Sequence, residues 1–282
     1  MLEIKVFGGL GNQMFQYAFF RYLEQKNSDI VLNISDYKVH NHHQGFELER
    51  IFGLSGPYSA TESELAAKSN SVAIRMLQKA LNLRCVKATE YYEHKEISFI
   101  PQTQINSDTY FVGFWQDIRY IQPIEDQLKI DFRFKPMDNK NKEFIEVFSD
   151  KETVSIHVRR GDYVKNRGLG GICCEDYYKY AIEAIKGHVV EPIFIFFSDD
   201  IDWCKKTFTD LDAQFVDWNI GKNSFRDMQL MSCCKHNIIA NSTFSWWGAF
   251  LNPNENKIVV LPKIWNDKYK LNRLAYPEWK TV

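Results

Sequence analysis

Residues 153–162 read Thr-Val-Ser-Ile-His-Val-Arg-Arg-Gly-Asp. The run 154–158 is typical of a buried strand, and two arginines, a glycine and an acid follow it directly. Strand alternation predicts that His157 and Arg159 lie on one face. Ligands of open α/β sheets bind beyond the carboxyl ends of strands, and paired guanidinium groups suit a pyrophosphate. The stretch therefore predicts an anion-binding loop; for so short a motif, the alternative is an Arg–Asp ion pair that caps a surface turn.

Downstream of this strand, short β-branched runs alternate with amphipathic stretches. This alternation predicts a doubly wound α/β domain, the architecture of many nucleotide-binding domains. The predicted helices cover 175–186, 202–208, 224–235 and 243–251, and the predicted strands cover 192–197, the surroundings of Phe215, 238–240 and 257–261.

Polar residues follow the later predicted strands of this domain. They are Ser198, Asp199 and Asp200 after one strand, Asp227 on a helix, and the block Asn-Ser-Thr-Phe-Ser-Trp-Trp-Gly at 241–248. In that block an Asn or Ser N-cap and the free N–H groups of a helix start predict a phosphate site, although capping alone would also explain the polar residues. The adjacent Trp246 and Trp247 suit either a core or the wall of a sugar or base pocket.

The first half of the chain predicts a second α/β unit. A strand at 4–7 ends at Gly-Gly-Leu-Gly-Asn-Gln, residues 8–13, and an aromatic helix over 14–24 follows. Such a loop lets the backbone approach a ligand, but a plain tight turn explains it equally well. Further predicted elements are helices over 62–81 and 118–128 and a strand over 109–115. The charged segment 131–150 predicts a linker, so we place the domains at 1–150 and 151–282.

The composition of the chain limits which ligands and which cellular locations are expected. The chain has 282 residues, enough for two domains, and a formal net charge of -1, which excludes the general basic field of nucleic-acid-binding proteins. Six cysteines match neither a zinc site nor a disulfide framework. An acid at position 3 and the lack of a long apolar run predict no signal peptide or membrane span. A cytoplasmic enzyme is favoured, with peripheral association at the inner membrane surface left open.

Four blocks together resemble the bacterial α-1,2-fucosyltransferases of glycosyltransferase family 11. They are Gly-Gly-Leu-Gly-Asn-Gln-Met-Phe-Gln-Tyr-Ala at 8–18, His-Val-Arg-Arg-Gly-Asp-Tyr at 157–163, Phe-Ser-Asp-Asp at 197–200 and Asn-Ser-Thr-Phe-Ser-Trp-Trp-Gly-Ala at 241–249. The resemblance implies a GT-B fold, in which two Rossmann-like domains face each other across a cleft. It also implies inverting transfer of L-fucose from GDP-fucose to the 2-hydroxyl of a terminal β-galactoside during surface-glycan synthesis, with no metal or other cofactor.

The resemblance also implies roles for individual residues. The catalytic candidates are Arg159, Asp162, His157 and Asn12. The candidates for binding GDP-fucose are Arg159, Arg160, Ser198, Asp199, Asp227, Asn241, Ser242, Thr243 and Ser245. The candidates on the acceptor side are Gly11, Asn12, Gln13, Asp117 and Trp246. Among these, the arginines would take the pyrophosphate and Asp227 would read the guanine edge.

Several alternatives stay open at this point. The proton acceptor for the acceptor hydroxyl is Asp162, His157, Asp117 or the departing phosphate. The Asp-x-Asp pairs at 200–202 and 210–212 would suit a metal-dependent transferase, although both also fit helix starts and turns. A fucosyltransferase of another linkage and a non-catalytic sugar- or nucleotide-binding protein are the remaining candidates. The type of galactoside and the oligomeric state are not predicted.

Overall fold

The computed structural model describes residues 1–39, 43–64, 89–92, 99–105, 108–266 and 273–282. They divide into two compact units, Met1–Asp131 and Phe132–Val282. The helix predicted over 62–81 falls largely outside the described residues.

The first unit is built on a parallel sheet. Its described strands are β1 (Leu2–Lys5), β2 (Ile30–Asn33), β3 (Tyr58–Ser59), β4 (Thr89–Tyr92) and β5 (Thr109–Val112). Its described helices are α1 (Leu10–Glu24), α2 (Asp36–Val39), α3 (Leu48–Phe52), α4 (Ile118–Ile121) and α5 (Glu125–Asp131), with 3-10 turns at Gln102–Gln104 and Gln122–Ile124. The strands lie in the order β3-β2-β1-β5-β4 and pair in parallel. Pro123 lies in the second turn and lacks an amide N–H, so the helix predicted over 118–128 is interrupted there.

Helix α1 forms the centre of this unit. Its sequence is apolar around most of its circumference, and most of its side chains are buried. Phe19 stacks on Trp115 with ring centroids 4.2 Å apart. The chain enters α1 through Gly8, whose φ of 84° is left-handed and whose hypothetical Cβ would lie 2.9 Å from Nδ2 of Asn12. Glycine is therefore required at this position by both conformation and space.

The second unit contains a second parallel sheet. Its strands are β6 (Thr153–Val158), β7 (Ile193–Ser198), β8 (Ala213–Val216), β9 (His236–Ile238), β10 (Val259–Leu261) and β11 (Lys280–Thr281). Its helices are α6 (Asn139–Glu146), α7 (Glu175–Lys186), α8 (Ile201–Thr207), α9 (Phe225–Cys233) and α10 (Thr243–Phe250), with a 3-10 turn at Gly221–Asn223. The strand order is β11-β10-β9-β6-β7-β8, again parallel.

Strand β6 lies at the centre of this sheet and is buried along its whole length. The chain adds β7 and β8 on one side of β6, then returns to add β9 and β10 on the other. Loops that leave neighbouring strands on opposite sides diverge, so a crevice forms at the carboxyl ends of β6 and β9. The two parallel sheets with their helices confirm the predicted α/β class in both halves of the chain.

The boundary between the units lies at Asp131, N-terminal to the position predicted near residue 150. The intervening charged segment is not an open linker, because it contains α6. Asn141 of α6 is buried and exchanges hydrogen bonds with the amide of Asn219, at 2.9 and 3.0 Å. These long-range hydrogen bonds attach the segment to the second unit. The charged composition of the segment did not predict them. Within the described ranges, no helix combines the length and apolarity needed to cross a membrane.

Candidate functional site

Two acids hold Arg159 at the carboxyl end of β6. Its Nη2 donates to Oδ1 of Asp162 over 2.7 Å, and its Nη1 lies 3.0 Å from Oδ2 of Asp199. The guanidinium carbon also lies 5.4 Å from the centre of the Tyr163 ring. Ion pairing on two sides fixes the plane of this guanidinium group, and the side chain is 30% exposed.

Arg160 is fixed separately from Arg159. Its Nε lies 3.0 Å from Oδ2 of Asp200, and its guanidinium carbon lies 4.2 Å from the centre of the Trp203 ring. Stacking on an indole face is a favourable cation–π arrangement that leaves the edge donors of the group available. The two consecutive arginines are thus each held by contacts within the protein.

Asp199 connects the β7 loop to the arginine loop. Besides its contact with Arg159, it accepts a hydrogen bond at Oδ1 from the backbone N–H of Arg160, 2.8 Å away. A Cβ at Gly161 would lie 2.5 Å from Oδ2 of Asp199, so only glycine lets the loop approach this carboxylate. Asp199, predicted to bind the donor, therefore contacts the arginines themselves.

Its neighbours Ser198 and Asp200 shape the same loop. The Ser198 hydroxyl accepts from the backbone N–H of Asp200 at 2.9 Å, and Asp200 caps α8 by accepting from the N–H of Trp203 at 3.3 Å. In the Asp-x-Asp pair at 200–202, the first carboxylate is thus engaged in a helix cap and an ion pair. Ser198 is half-buried, and its hydroxyl is engaged in a hydrogen bond within this loop.

A pocket of about 330 Å³ opens beside these arginines in the second unit. Its walls include Arg159, Arg160, Tyr163, Trp203 and Asn241. The Tyr163 hydroxyl donates to the Asn241 carbonyl over 3.3 Å and so joins the loops after β6 and β9. Burial raises the pKa of Tyr163 to about 12, which leaves it a neutral donor. The volume is at the small end of the range for ligand pockets, about 300 to 1,000 Å³.

His157 lies buried beneath this loop. Only 6 % of the residue is exposed, and its ring packs against that of Phe244, with centroids 5.7 Å apart. Its Nδ1 atom is buried without a hydrogen-bond partner. Burial and the charge of Arg159 lower the pKa of His157 to about 4, against the opposing effect of Asp199. The imidazole is therefore neutral at neutral pH and a weak base.

Helix α10 begins beside the same crevice, and its residues divide into two groups. Ser242 is the N-cap but makes no side-chain cap hydrogen bond, and Thr243 opens the helix. The backbone N–H groups at a helix start, together with nearby hydroxyls, are suited to an anion. Ser245, by contrast, is fully buried and donates to the carbonyl of Ser242 at 3.1 Å.

Two other predicted site residues near α10 support the fold. The Asn241 side chain donates to the carbonyls of Leu169 and Trp265, at 3.1 and 3.2 Å. Trp246 is fully buried, and its indole N–H donates to the carbonyl of Leu274 at 2.8 Å. Of the two interpretations of Trp246, the structure therefore places it in the core.

Asp227 belongs to a separate polar network at the start of α9. Its Oδ1 accepts from Nδ2 of Asn219 at 2.8 Å. Burial raises the pKa of Asp227 to about 7, and the bond from Asn219 only partly opposes this. Asp227 is thus hydrogen-bonded to Asn219 and not to the arginines. Helix α9 nevertheless follows β8, so its first turn lies at the same edge of the sheet as the arginine loop.

The predicted acceptor-side residues of the first unit differ in environment. Gln13 is fully buried and donates to the carbonyls of Gly8 and Gly45, at 3.1 and 2.8 Å. Asn12, by contrast, is only half-buried, and its Oδ1 accepts from Nε2 of Gln116 over 3.1 Å. Gly11 is buried within the first turn of α1. Among these residues, Asn12 has the amide closest to the surface.

Asp117 is buried, with 2 % exposed, and caps α4. Its Oδ1 accepts from the backbone N–H and from Nε of Arg119, at 3.0 and 2.9 Å. Since the carboxylate already accepts these hydrogen bonds, its evident role is to fix the turn.

Sequence reasoning did not single out Tyr163 and Trp203 as site residues. Tyr163 directly follows the arginine motif and could have been found from that position. Trp203 lies 43 positions beyond Arg160 in the sequence, and only the packing of α8 against the sheet brings the two together.

The chain is similar to known proteins along its whole length. The sequence model of glycosyl transferase family 11 matches residues 1–282. An α-1,2-colitosyltransferase of Escherichia coli is 34% identical over 275 residues, covering 94% of this chain and 92% of that protein. The O-antigen biosynthesis glycosyltransferase WbnK of Escherichia coli is 33% identical over 302 residues, covering 96% and 97%. Galactoside 2-alpha-L-fucosyltransferase Sec1 of Mus musculus is 32% identical over 103 residues, 35% of this chain and 28% of that protein.

These comparisons agree with the resemblance carried by the four sequence blocks. The family match spans the whole sequence, and both Escherichia coli relatives cover more than nine-tenths of it. The chain belongs to glycosyl transferase family 11.

Proposed function

We propose that this protein transfers L-fucose from GDP-fucose to the 2-hydroxyl of a terminal β-galactoside, with inversion and without a metal ion, during the synthesis of a surface glycan. The observation that carries the proposal is the fixed pair Arg159 and Arg160 at the switch point of a parallel sheet. The names of the relatives support its details: one enzyme forms α-1,2 linkages, one acts in O-antigen biosynthesis, and one fucosylates galactosides.

In this proposal the two guanidinium groups bind the pyrophosphate of the donor. Departure of GDP leaves negative charge on the β-phosphate, and preorganised cations stabilise that charge without reorganising during the reaction. The start of α10, with Ser242 and Thr243, supplies further N–H and hydroxyl donors. Loss of one such cation is expected to raise the barrier by roughly 3 kcal/mol, about a hundredfold in rate.

Asp227 is proposed to accept hydrogen bonds from the guanine edge. Guanine offers adjacent N–H donors, and an ionised carboxylate pairs with them more strongly than a neutral one. Because burial holds the pKa of Asp227 near 7, GDP binding through this residue would favour its ionised form.

The proton of the acceptor hydroxyl needs an acceptor, and the environments of the candidates differ. Asp117 is buried in its contacts with Arg119, and His157 is a weak base. Asp162 is 64% exposed, with Oδ1 on Arg159. We therefore propose Asp162 or the departing phosphate for this role.

Colitose is a second candidate donor sugar, because one relative that covers nearly the whole chain is a colitosyltransferase. Parallel reactions with GDP-fucose and nucleotide-activated colitose would distinguish the two. A higher kcat/KM with colitose would replace fucose in the proposal while leaving the α-1,2 linkage to be tested.

The decisive experiment measures GDP release from GDP-fucose with lactose or N-acetyllactosamine, in the presence of EDTA. Wild type is compared with Arg159→Ala and with Arg167→Ala, a control that replaces an exposed arginine of the same loop. The proposal requires release that depends on acceptor, persists in EDTA and is lost only in Arg159→Ala, together with an α-1,2 linkage in the product by NMR. Abolition by EDTA would favour a metal-dependent transferase, and GDP binding without turnover would favour a binding protein.

A further inference from the structure

An aromatic and amide surface lies in the first unit, away from the arginine loop in the sequence. It consists of the rings of Phe7 and Phe114 and the side-chain amides of Asn12 and Gln116; we call it the aromatic–amide patch. None of the predicted site residues except Asn12 belongs to it. Phe114 is 37% exposed, so part of its ring is available to a ligand.

The patch is built at the carboxyl ends of two neighbouring strands. Strands β1 and β5 pair in parallel, and the chain leaving them places the rings of Phe7 and Phe114 with centroids 4.7 Å apart. Gln16 of α1 is fully buried and links the two loops. Its Oε1 accepts from the N–H of Phe7 at 3.1 Å, and its Nε2 donates to the carbonyl of Gly113 at 3.0 Å. One buried amide therefore holds together the two backbone segments that carry the rings.

The backbone next to Phe114 explains why this ring lies at the surface. Trp115 adopts a left-handed conformation, with φ of 56°, which is strained for a bulky residue. The turn sends the Trp115 ring into the core, where 2% of the residue is exposed and the ring stacks on Phe19. Phe114 is left outside the core, and Gln116 follows within reach of Asn12.

The chemistry of the patch suits a neutral, polyhydroxylated ligand. An aromatic face packs against the C–H face of a pyranose, while amides donate to and accept from hydroxyl groups. The nearby cation, Lys5, lies 5.5 Å from the Phe7 ring centre and is paired with Asp36 at 2.9 Å. Because this charge is already compensated, the patch does not resemble a phosphate site.

We propose that the aromatic–amide patch binds the galactose ring of a β-galactoside acceptor, with Phe114 packing against the sugar and Asn12 and Gln116 bonding its hydroxyls. The identity of the sugar rests on the proposed function. The stacking role of Phe114 rests on the position and exposure of its ring. Replacement of Phe114 should weaken binding of the acceptor sugar without changing binding of the nucleotide.

The test compares wild type, Phe114→Ala, Phe114→Trp and the control Ile130→Ala, which removes a more exposed apolar side chain from the same unit. Lactose binding is measured by ligand-observed NMR, GDP binding by calorimetry, and hydrolysis of GDP-fucose without acceptor by GDP release. We expect at least tenfold weaker lactose binding in Phe114→Ala, near wild-type binding in Phe114→Trp and Ile130→Ala, and GDP binding within twofold in every variant.

Each result separates this inference from the proposed function. Weaker lactose binding with unchanged GDP binding supports the patch, even if wild type transfers no fucose. Unchanged lactose binding in Phe114→Ala, or no lactose binding by wild type, overturns the inference even if transfer occurs with the predicted arginine dependence. Weaker GDP binding in Phe114→Ala would overturn it too, because the ring would then serve the nucleotide.

Discussion

Gly161 is the residue on which the arrangement of the arginine loop depends most directly. A Cβ there would lie 2.5 Å from Oδ2 of Asp199, the oxygen that pairs with Arg159. We predict that Gly161→Ala displaces this carboxylate and weakens GDP binding roughly tenfold or more, because the guanidinium group loses its fixed orientation. Calorimetric titration with GDP measures the effect.

Gly187→Ala is a matched control for that substitution. Gly187 is the C-cap of α7 with φ of -67°, and its added Cβ would meet other atoms no closer than 3.6 Å. The affinity of Gly187→Ala for GDP should equal that of wild type. If Gly161→Ala also bound GDP normally, Asp199 would not be needed to orient the arginines.

His157 should make stability depend on pH. Its pKa in the folded protein is about 4, below the ordinary 6.5, so the unfolded chain binds the proton more readily. The contribution of neutral His157 to the free energy of unfolding is then fully present above about pH 6.5 and is lost as pH decreases toward 4. The free energy of unfolding should fall by about 2 kcal/mol between pH 7.5 and pH 5. Urea unfolding of wild type and His157→Gln at both pH values measures it. The variant should lose less stability on acidification than wild type; equal losses would show that another group dominates.

The predictability of the site differs from residue to residue for a physical reason. Arg159 and Arg160 could be placed from sequence because strand end and side-chain type are both local properties. Gln13 could not, because its partner Gly45 lies 32 positions away. Likewise the core position of Trp246 depends on Leu274, 28 positions downstream.

At the scale of elements, α6 has a role that its charged sequence did not indicate. Asn141 accepts from the Trp218 indole N–H at 3.0 Å and donates to Asp138 at 2.8 Å, besides its exchange with Asn219. We predict that Asn141→Ala lowers the free energy of unfolding by about 2–3 kcal/mol, because buried polar partners lose their hydrogen bonds. Asn139→Ala, an exposed position on the same helix, should change it by less than about 0.5 kcal/mol. Equal stability of the two variants in urea would show that α6 does not contribute through this network.

Periodicity predicted the alternating strands and helices from β6 to β10, but neither α6 nor β11. Helix α7 has the bounds expected from the spacing of Tyr178, Ala181, Ile182 and Ile185, all of which are buried. The strand expected over 109–115 is shorter, because the left-handed Trp115 turns the chain after β5. Hydrophobic spacing identifies an amphipathic element, but it does not reveal a turn imposed by a tertiary contact such as the stacking of Trp115 on Phe19.

For the whole molecule, strand order is what brings the candidate donor-binding residues together. The sequence showed alternating strands and helices, but that pattern is compatible with several orders. With β6 between β9 and β7, the loops at Arg159, at Asp199 and at Asn241 leave adjacent strands. Ligands of parallel sheets bind at such a switch point, so the sequence could predict which edge of the sheet carries the site. It could not predict the individual contacts between the loops at that edge.

The division at Asp131 leads to a prediction about the second unit as a separate protein. Residues 132–150 pack within that unit: the Phe132 ring lies 5.0 Å from that of Trp247, and the Phe144 ring lies 5.1 Å from that of Trp218. A fragment of residues 132–282 should therefore unfold cooperatively and bind GDP, whereas a fragment of residues 151–282 should not, since it exposes aromatic surface that these residues cover. Thermal unfolding and GDP titration of the two fragments measure this. Equal folding and binding would restore the boundary near residue 150, and failure of the longer fragment alone would mean that the unit requires residues 1–131 to fold.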